Sequence, residues 1–227
     1  MIKAIVTDIE GTTSSIRFVH DVLFPYAKQR MADFIRHYES LSEADNQTVS
    51  TQLDAVAQLA GIQRENTEAL IQQLLDWIDE DKKVTPLKAL QGIIWQQGYQ
   101  QGDFVGHVYQ DAADYLKQWN KQGLDLYVYS SGSVHAQKLI FGYTEFGDLT
   151  PLFKGYFDTQ VGGKRDVESY RQIIHQIGLK AEEILFLSDI EQELDAATIA
   201  TMQTCWLIRK NDSRMSISEA AKKYLVA

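Results

Sequence analysis

Apolar residues along this chain change their spacing twice, and the changes mark out its elements. Residues 2–7 are a short, largely aliphatic and β-branched run that closes on Asp8, which predicts a strand. Over residues 15–100 no comparable run recurs. Helical spacing takes over instead, at 22–38, 48–60, 67–81 and 86–97, with Leu70, Leu74, Trp77 and Ile78 forming one expected buried stripe. Thr85 followed by Pro86 predicts an N-cap and first-turn pair, and Gly61 and Gly98 predict stops.

Beyond Gly102 strands and helices alternate. A helix over 111–122 ends at Gly123, and a strand over 124–129 ends at Ser130. Helices follow at 134–141 and 167–177, the second stopping at Gly178. A strand at 184–187 ends at Ser188-Asp189, followed by a helix at 192–202 and a strand at 204–208. Ser216-x-x-Glu219 is a capping box that opens a last helix. One strand, a helical block, then alternating strands and helices predict a doubly wound parallel α/β sheet with an inserted all-helical cap. The expected core is 1–14 with 101–227, and the expected cap is 15–100. Such sheets bind ligands at the carboxyl ends of their strands, so the closing residues are the first suspects.

Composition narrows the partners. With 44% hydrophobic residues in 227, the chain can bury a sizeable core. Its 31 acidic against 22 basic residues give a formal charge of -9, which disfavours nucleic acid and anionic membranes. A phosphate ester would have to meet a local patch, a bound cation or helix N-termini. Cys205 is the single cysteine, so no intramolecular disulfide can form. The opening MIKAIVTDIEG lacks a signal-peptide layout and no apolar run approaches membrane-spanning length, so a cytoplasmic protein is expected. Nothing such as a coiled-coil seam demands an oligomer, and a monomer is favoured.

Three strand ends carry reactive groups: Asp8-Ile9-Glu10-Gly11-Thr12-Thr13, Ser130-Ser131-Gly132, and Ser188-Asp189. Gly162-Gly163-Lys164 lies between the last two. A carboxylate nucleophile, a second carboxyl two residues on, a hydroxyl, a lysine and a metal carboxylate can together move a phosphoryl group. Each alone has an ordinary reading, since strand-end carboxyls often only cap the next helix. Other chemistries fit less well. No Gly-x-Ser-x-Gly elbow exists, the Gly162-Gly163-Lys164 run lacks the remaining P-loop residues, and no Cys/His cluster has zinc spacing. The histidines His20, His37, His107, His135 and His175 are scattered and read as structural or exposed. Ser133 reads as the cap of the helix that begins at Val134. The Ile93-Ile94-Trp95 stretch reads as helical core.

Asp8-x-Glu10-x-Thr12, Ser130, Lys164 and Asp189 together resemble the four motifs of the haloacid-dehalogenase superfamily, over the whole chain. The superfamily's usual first motif has Asp where this chain has Glu10. That departure, with the run through Thr13-Ser14-Ser15-Ile16 and Tyr129-Ser130-Ser131-Gly132-Ser133, resembles the enolase-phosphatases of methionine salvage. The resemblance implies Asp8 as the nucleophile and Glu10 as the group that protonates the leaving oxygen and later activates water. Lys164 would supply a point charge, with Ser130 and Ser131 meeting substrate. Asp8, Asp189 and the Glu10 carbonyl would hold Mg²⁺, which hard oxygen ligands suit better than Zn²⁺. Glu191 and Glu193 either orient Asp189 or are acidic residues of a helix's first turn. The implied substrate is 2,3-diketo-5-methylthiopentyl 1-phosphate, enolised and then dephosphorylated to acireductone in methionine biosynthesis. A capped phosphatase acting on a sugar or glycolate phosphate without enolisation stays open as the alternative, and a silent sensor of a phosphorylated metabolite is the more distant one.

Overall fold

A computed structural model describes residues 1–209 and the short strand Leu225–Val226. In chain order its elements begin with β1 (Ala4–Thr7) and a short turn of helix, α1 (Ile16–Phe18), which runs into a π-helical turn at Val19–Leu23. Four helices follow: α2 (Phe24–His37), α3 (Glu43–Ala60), α4 (Thr67–Asp79) and α5 (Thr85–Gln101). Then come α6 (Gln110–Lys121), β2 (Asp125–Tyr129), α7 (Val134–Gly142), β3 (Phe153–Phe157), α8 (Val167–Ile177), β4 (Ile184–Ser188), α9 (Glu191–Ile199), β5 (Gln203–Trp206) and β6 (Leu225–Val226). The expected capping box at Ser216 and Glu219 lies outside the described residues.

The chain divides into two compact units, Met1–Phe18 with Val105–Ala227, and Val19–Phe104 between them. The second unit is helical. Its core is built from residues spaced three or four apart, the spacing that keeps side chains on one helical face. Ala27, Met31, Phe34 and Ile35 of α2, Val49, Leu53 and Val56 of α3, and Leu70, Ile71, Leu74 and Trp77 of α4 are all buried. In α4 it is Ile71 rather than Ile78 that completes the stripe, and Ile78 is half-buried. Helix α5 is buried almost all round, Ile93-Ile94-Trp95 included, and the Trp95 indole donates to Leu23 O at 2.8 Å.

Two expectations about α5 are corrected. Its N-cap is Val84, with no side-chain hydrogen bond, so Thr85 is already helical and Pro86 follows within the first turn. Gly98 does not stop the helix, which runs on to a left-handed Gly102 at φ +76°. Gly98 is instead a packing gap. A Cβ there would lie 2.6 Å from the Phe104 ring and 2.7 Å from the Tyr26 ring. By contrast Gly61 (φ +67°) and Gly178 (φ +76°) close α3 and α8 in the left-handed conformation that glycine adopts without steric cost.

The first unit is a parallel sheet in the order β3-β2-β1-β4-β5-β6. All four residues of β1 are buried, as a central strand covered on both faces requires. Strand β3 and the two-residue β6 were not expected from the sequence. Phe153–Phe157 has an exposed Lys154 and a glycine at its middle, so its apolar pattern is broken. It becomes a strand because β2 pairs with it, with Gly155 against the Tyr127 ring, where a Cβ would lie 3.1 Å from a ring carbon. The order reverses between β1 and β4, whose chain connections leave toward opposite edges. A crevice opens at such a point, beyond the carboxyl ends of the two strands.

Candidate active site

Asp8 and Asp189 flank that crevice. Thr7 pairs with Leu187 at the end of the β1–β4 ladder, and the Asp8 N–H continues it to Leu187 O at 2.9 Å. Asp8 is therefore placed by sheet register. Its own groups are also fixed: Oδ1 accepts the Ile9 N–H at 2.8 Å, and its carbonyl accepts the Thr7 and Thr13 hydroxyls at 2.9 and 3.0 Å. The next residues wind tightly, with the Thr12, Thr13 and Ser14 N–H groups all converging on Ile9 O. The turn needs Gly11 at φ +78°, and its missing side chain lets Asp189 approach. A Cβ on Gly11 would lie 2.2 Å from Asp189 Oδ2.

Lys164 enters from the loop before α8 and is 8% exposed, which few lysines are without partners. It has two: Nζ is 2.5 Å from Asp8 Oδ1 and 2.7 Å from Glu193 Oε2. Burial alone would drive the ammonium toward its neutral form, but the two carboxylates outweigh it and hold the lysine pKa above its ordinary value. The backbone behind it is tied down by tyrosines. Tyr170 OH donates to Lys164 O at 2.6 Å and Tyr129 OH to Gly162 O at 3.0 Å.

From the sequence Glu193 either orients Asp189 or is an acidic residue of a helix's first turn; the structure places it against Lys164, a pairing that neither reading includes. It lies in the first turn of α9 and accepts the Ser188 hydroxyl at 2.9 Å. Burial, followed by the Asp8 charge, raises its pKa to about 7, with Lys164 pulling the other way. One ammonium cannot fully compensate two buried carboxylates. Glu191, at the start of the same helix, is half-buried.

Glu10 is held from a third strand end. The Ser130 hydroxyl, just past β2, donates to Glu10 Oε2 at 3.1 Å and accepts the Gly132 N–H at the same distance. Desolvation, then the neighbouring Asp8 charge, raises the Glu10 pKa, so the protonated acid is favoured relative to a free glutamate. Ser131 is half-buried in the same loop, while Ser133 caps α7 by accepting the Ala136 N–H. Two residues that the sequence did not single out hold this loop. Asp158 after β3 accepts the Val134 N–H at 3.2 Å, and the Gln137 amide donates to both Gly132 O and Phe157 O at 2.8 Å.

Asp189 differs from the other carboxyls in having one oxygen without a hydrogen-bond partner among the described residues. Its Oδ1 is buried with no hydrogen bond, and burial, then Asp8, raises its pKa to about 7. Trp206 Nε1 donates to its carbonyl at 3.0 Å and fixes its backbone. Two carboxylates thus face the crevice with Lys164 engaged by Asp8 and Glu193. Among the described residues no three His, Cys, Asp or Glu side chains form a complete metal cage. A buried, unpaired carboxylate oxygen beside a second carboxylate nevertheless fits a hard cation that takes few protein ligands.

The chain is similar to known proteins over most of its length. Residues 2–200 match the family model of haloacid dehalogenase-like hydrolases. The enolase-phosphatase E1 of Hahella chejuensis is 60% identical over 208 residues, 92% of this chain and 87% of that protein. The enolase-phosphatase E1 of Serratia proteamaculans is 58% identical over 209 residues, 92% and 89% of the two chains. Among solved structures, the UTR4 protein of Saccharomyces cerevisiae superimposes with a TM-score of 0.83 at 34% identity, covering 100% of this chain and 97% of that one.

Proposed function

The chain belongs to the haloacid dehalogenase-like hydrolase family, and on that premise we propose how its residues carry out the enolase-phosphatase reaction. The enzyme is a phosphoric monoester hydrolase of methionine salvage, which enolises 2,3-diketo-5-methylthiopentyl 1-phosphate and dephosphorylates it to acireductone. The observation that carries our assignment of roles is the seating of the Lys164 ammonium 2.5 Å from Asp8 Oδ1 at the end of β1.

In this reading Asp8 attacks phosphorus through Oδ2, since Oδ1 is engaged by Lys164 and the Ile9 N–H. A new bond forms from carboxylate oxygen to phosphorus as the ester oxygen leaves, and Glu10 gives that oxygen its proton. Glu10, now a carboxylate, takes a proton from water; the resulting hydroxide displaces Asp8 from phosphorus and releases phosphate. Lys164 and the Ser130 and Ser131 hydroxyls hold the charge of the transferred group. Glu193, 2.7 Å from the same ammonium, helps keep it in place. Glu10 also serves as the base that removes the carbon-bound proton in enolisation, being the carboxyl closest in sequence to the nucleophile.

The residues fit Mg²⁺. Asp8, Asp189 with its unpaired Oδ1, and the Glu10 carbonyl would hold it. When bound, it would supply positive charge for the phosphoryl oxygens and for a developing enolate. Asp189 has its carboxyl aimed against Gly11 by the close packing at that glycine.

We read the helical unit Val19–Phe104 as the cap and the remainder as the catalytic core. The partner is a small phosphate ester. A charge of -9 supports an enzyme without nucleic-acid or anionic-membrane partners, and we place it in the cytoplasm as a monomer. Among the described residues no helix is long and apolar enough to cross a membrane.

The test is a stopped-flow absorbance trace beside a phosphate-release assay, for wild type and Glu10→Gln, with the dicarbonyl phosphate and Mg²⁺. Wild type is expected to show an enol signal no later than free phosphate. Glu10→Gln should lose both, because glutamine carries no transferable proton. An enol phosphate that accumulates in the variant would remove Glu10 from enolisation and leave it the hydrolytic role alone.

A further inference from the structure

The loop after the nucleophile is held by a histidine that lies outside the catalytic set. The Ser15 N–H donates to His107 Nδ1 at 3.1 Å, and the Ser14 hydroxyl lies 3.4 Å from the same nitrogen. A backbone N–H can only donate, so Nδ1 carries the lone pair and the imidazole is neutral, with its proton on Nε2. Ser14 and Ser15 are buried, so water does not readily replace the imidazole as acceptor.

The peptide unit that His107 grips has a second end. The carbonyl of that unit, Ser14 O, accepts the Gly11 N–H at 2.8 Å. The Gly11 N–H in turn belongs to the planar unit whose carbonyl is Glu10 O. In a trans peptide the C=O and N–H point in opposite directions, so fixing one fixes the other. His107 is thereby linked through two rigid planes to the Glu10 carbonyl and to the Cα from which the Glu10 side chain departs.

His107 itself stands on a firm base. The neighbouring Gly106 N–H donates to Tyr143 O at 2.6 Å, and a Cβ on Gly106 would lie 2.1 Å from Ile140 O, so this backbone is pressed against α7. Two residues further on, the Tyr109 N–H donates to Thr13 O at 2.9 Å, tying the same segment to the same loop. The imidazole meets the Tyr109 ring edge-on, centroids 4.9 Å apart, with the Phe18 ring at 6.3 Å.

We propose that His107 is a positioning residue for this enzyme, setting the plane of the Glu10–Gly11 peptide through the Ser14–Ser15 peptide. The inference rests on the reading of Glu10 as a residue of the site. Asparagine at this position keeps an acceptor, because Oδ1 occupies the place of Nδ1. Glutamine carries its oxygen one methylene too far, and alanine offers none.

The experiment compares His107→Asn, His107→Gln and His107→Ala in the full chain. Amide hydrogen exchange at Ser15 and Gly11 is measured by NMR on metal-free protein, and kcat, KM and the Mg²⁺ concentration for half-activation are measured on the loaded enzyme. In His107→Ala and His107→Gln both amides are expected to exchange at least about tenfold faster, with kcat lower by roughly 10- to 100-fold and KM within about threefold. His107→Asn is expected to restore exchange and kcat to within about threefold of wild type. Should His107→Ala fail to fold, the Asn and Gln variants decide between themselves. Gly11 exchange unchanged in the Gln variant, or Asn no better than Gln, overturns the proposal. Exchange that follows the prediction while the Mg²⁺ requirement stays constant supports the positioning role and overturns the use of the Glu10 carbonyl as a cation ligand.

Discussion

Lys164 Nζ stands 2.5 Å from Asp8 Oδ1, and both side chains are almost wholly withdrawn from solvent. A buried pair of this kind is weak evidence of net stabilisation, but removing one member leaves the other uncompensated. Here the ammonium also serves Glu193, so its removal would leave two carboxylates confronting each other across a vacated site.

Lys164→Met is therefore expected to cost stability as well as activity. Unfolding in urea should show a loss on the order of 3 kcal/mol, part of it recovered when the carboxyls take up protons. Phosphate release should fall by roughly 10²- to 10³-fold, the effect of losing one charged donor from a water-poor site. A rate within about twofold of wild type would place the lysine outside the chemistry.

Asp8→Asn separates these two contributions. The amide keeps the size of the carboxyl and its Oδ1 still accepts the Ile9 N–H, while Lys164 retains Glu193. The melting temperature should stay within a few degrees, and phosphate release should drop by about a thousandfold or more. Turnover near wild type from a folded Asp8→Asn protein would refute the covalent route.

Gly11→Ala tests the approach of the nucleophile loop to Asp189. The alanine would have to hold φ +78° and place a Cβ 2.2 Å from Asp189 Oδ2, so either the loop or the carboxylate must move. A stability loss of about 1–3 kcal/mol is expected, with Mg²⁺ titration showing weaker activation. An alanine variant with wild-type stability and Mg²⁺ response would mean that the packing at Gly11 does not aim the carboxylate.

Asp189→Ala should raise the Mg²⁺ needed for half-activation by at least about tenfold, because few charged ligands are available to replace it. Chelation should silence the wild type and added Mg²⁺ should restore it. The variant should not be less stable than wild type, since it removes a carboxylate whose Oδ1 is buried without a hydrogen bond. Full activity after exhaustive chelation would sink the metal assignment.

Much of the architecture is written in local patterns. Helix α8 has the bounds that its apolar spacing and its closing Gly178 predict, and β1 ends at Thr7 against Asp8 as its run of β-branched residues does. Both depend on neighbours a few positions away, and so did the ordering of Asp8, Ser130 and Asp189 just past their strands. Strand β3 was not legible, because Phe153–Phe157 becomes a strand only by pairing with β2. Gly98 read as a stop for the same reason: what decides its role are the Tyr26 and Phe104 rings, distant in sequence from one another.

By itself the sequence determined the class of fold, the order of reactive residues at the strand ends, and through Glu10 and its neighbours the family. Periodicity and strand-end position are properties of contiguous residues, and a reactive side chain's type does not depend on folding. Only the tertiary structure decided that Glu193 meets Lys164, which lies 29 positions earlier and is brought there by the sheet. It alone decided that His107 holds Ser15, 92 residues away, and that Asp189 keeps a buried oxygen without a partner among the described residues. These are matters of which distant groups meet and how much water is left between them, and chain order does not encode them until the sheet sets its register.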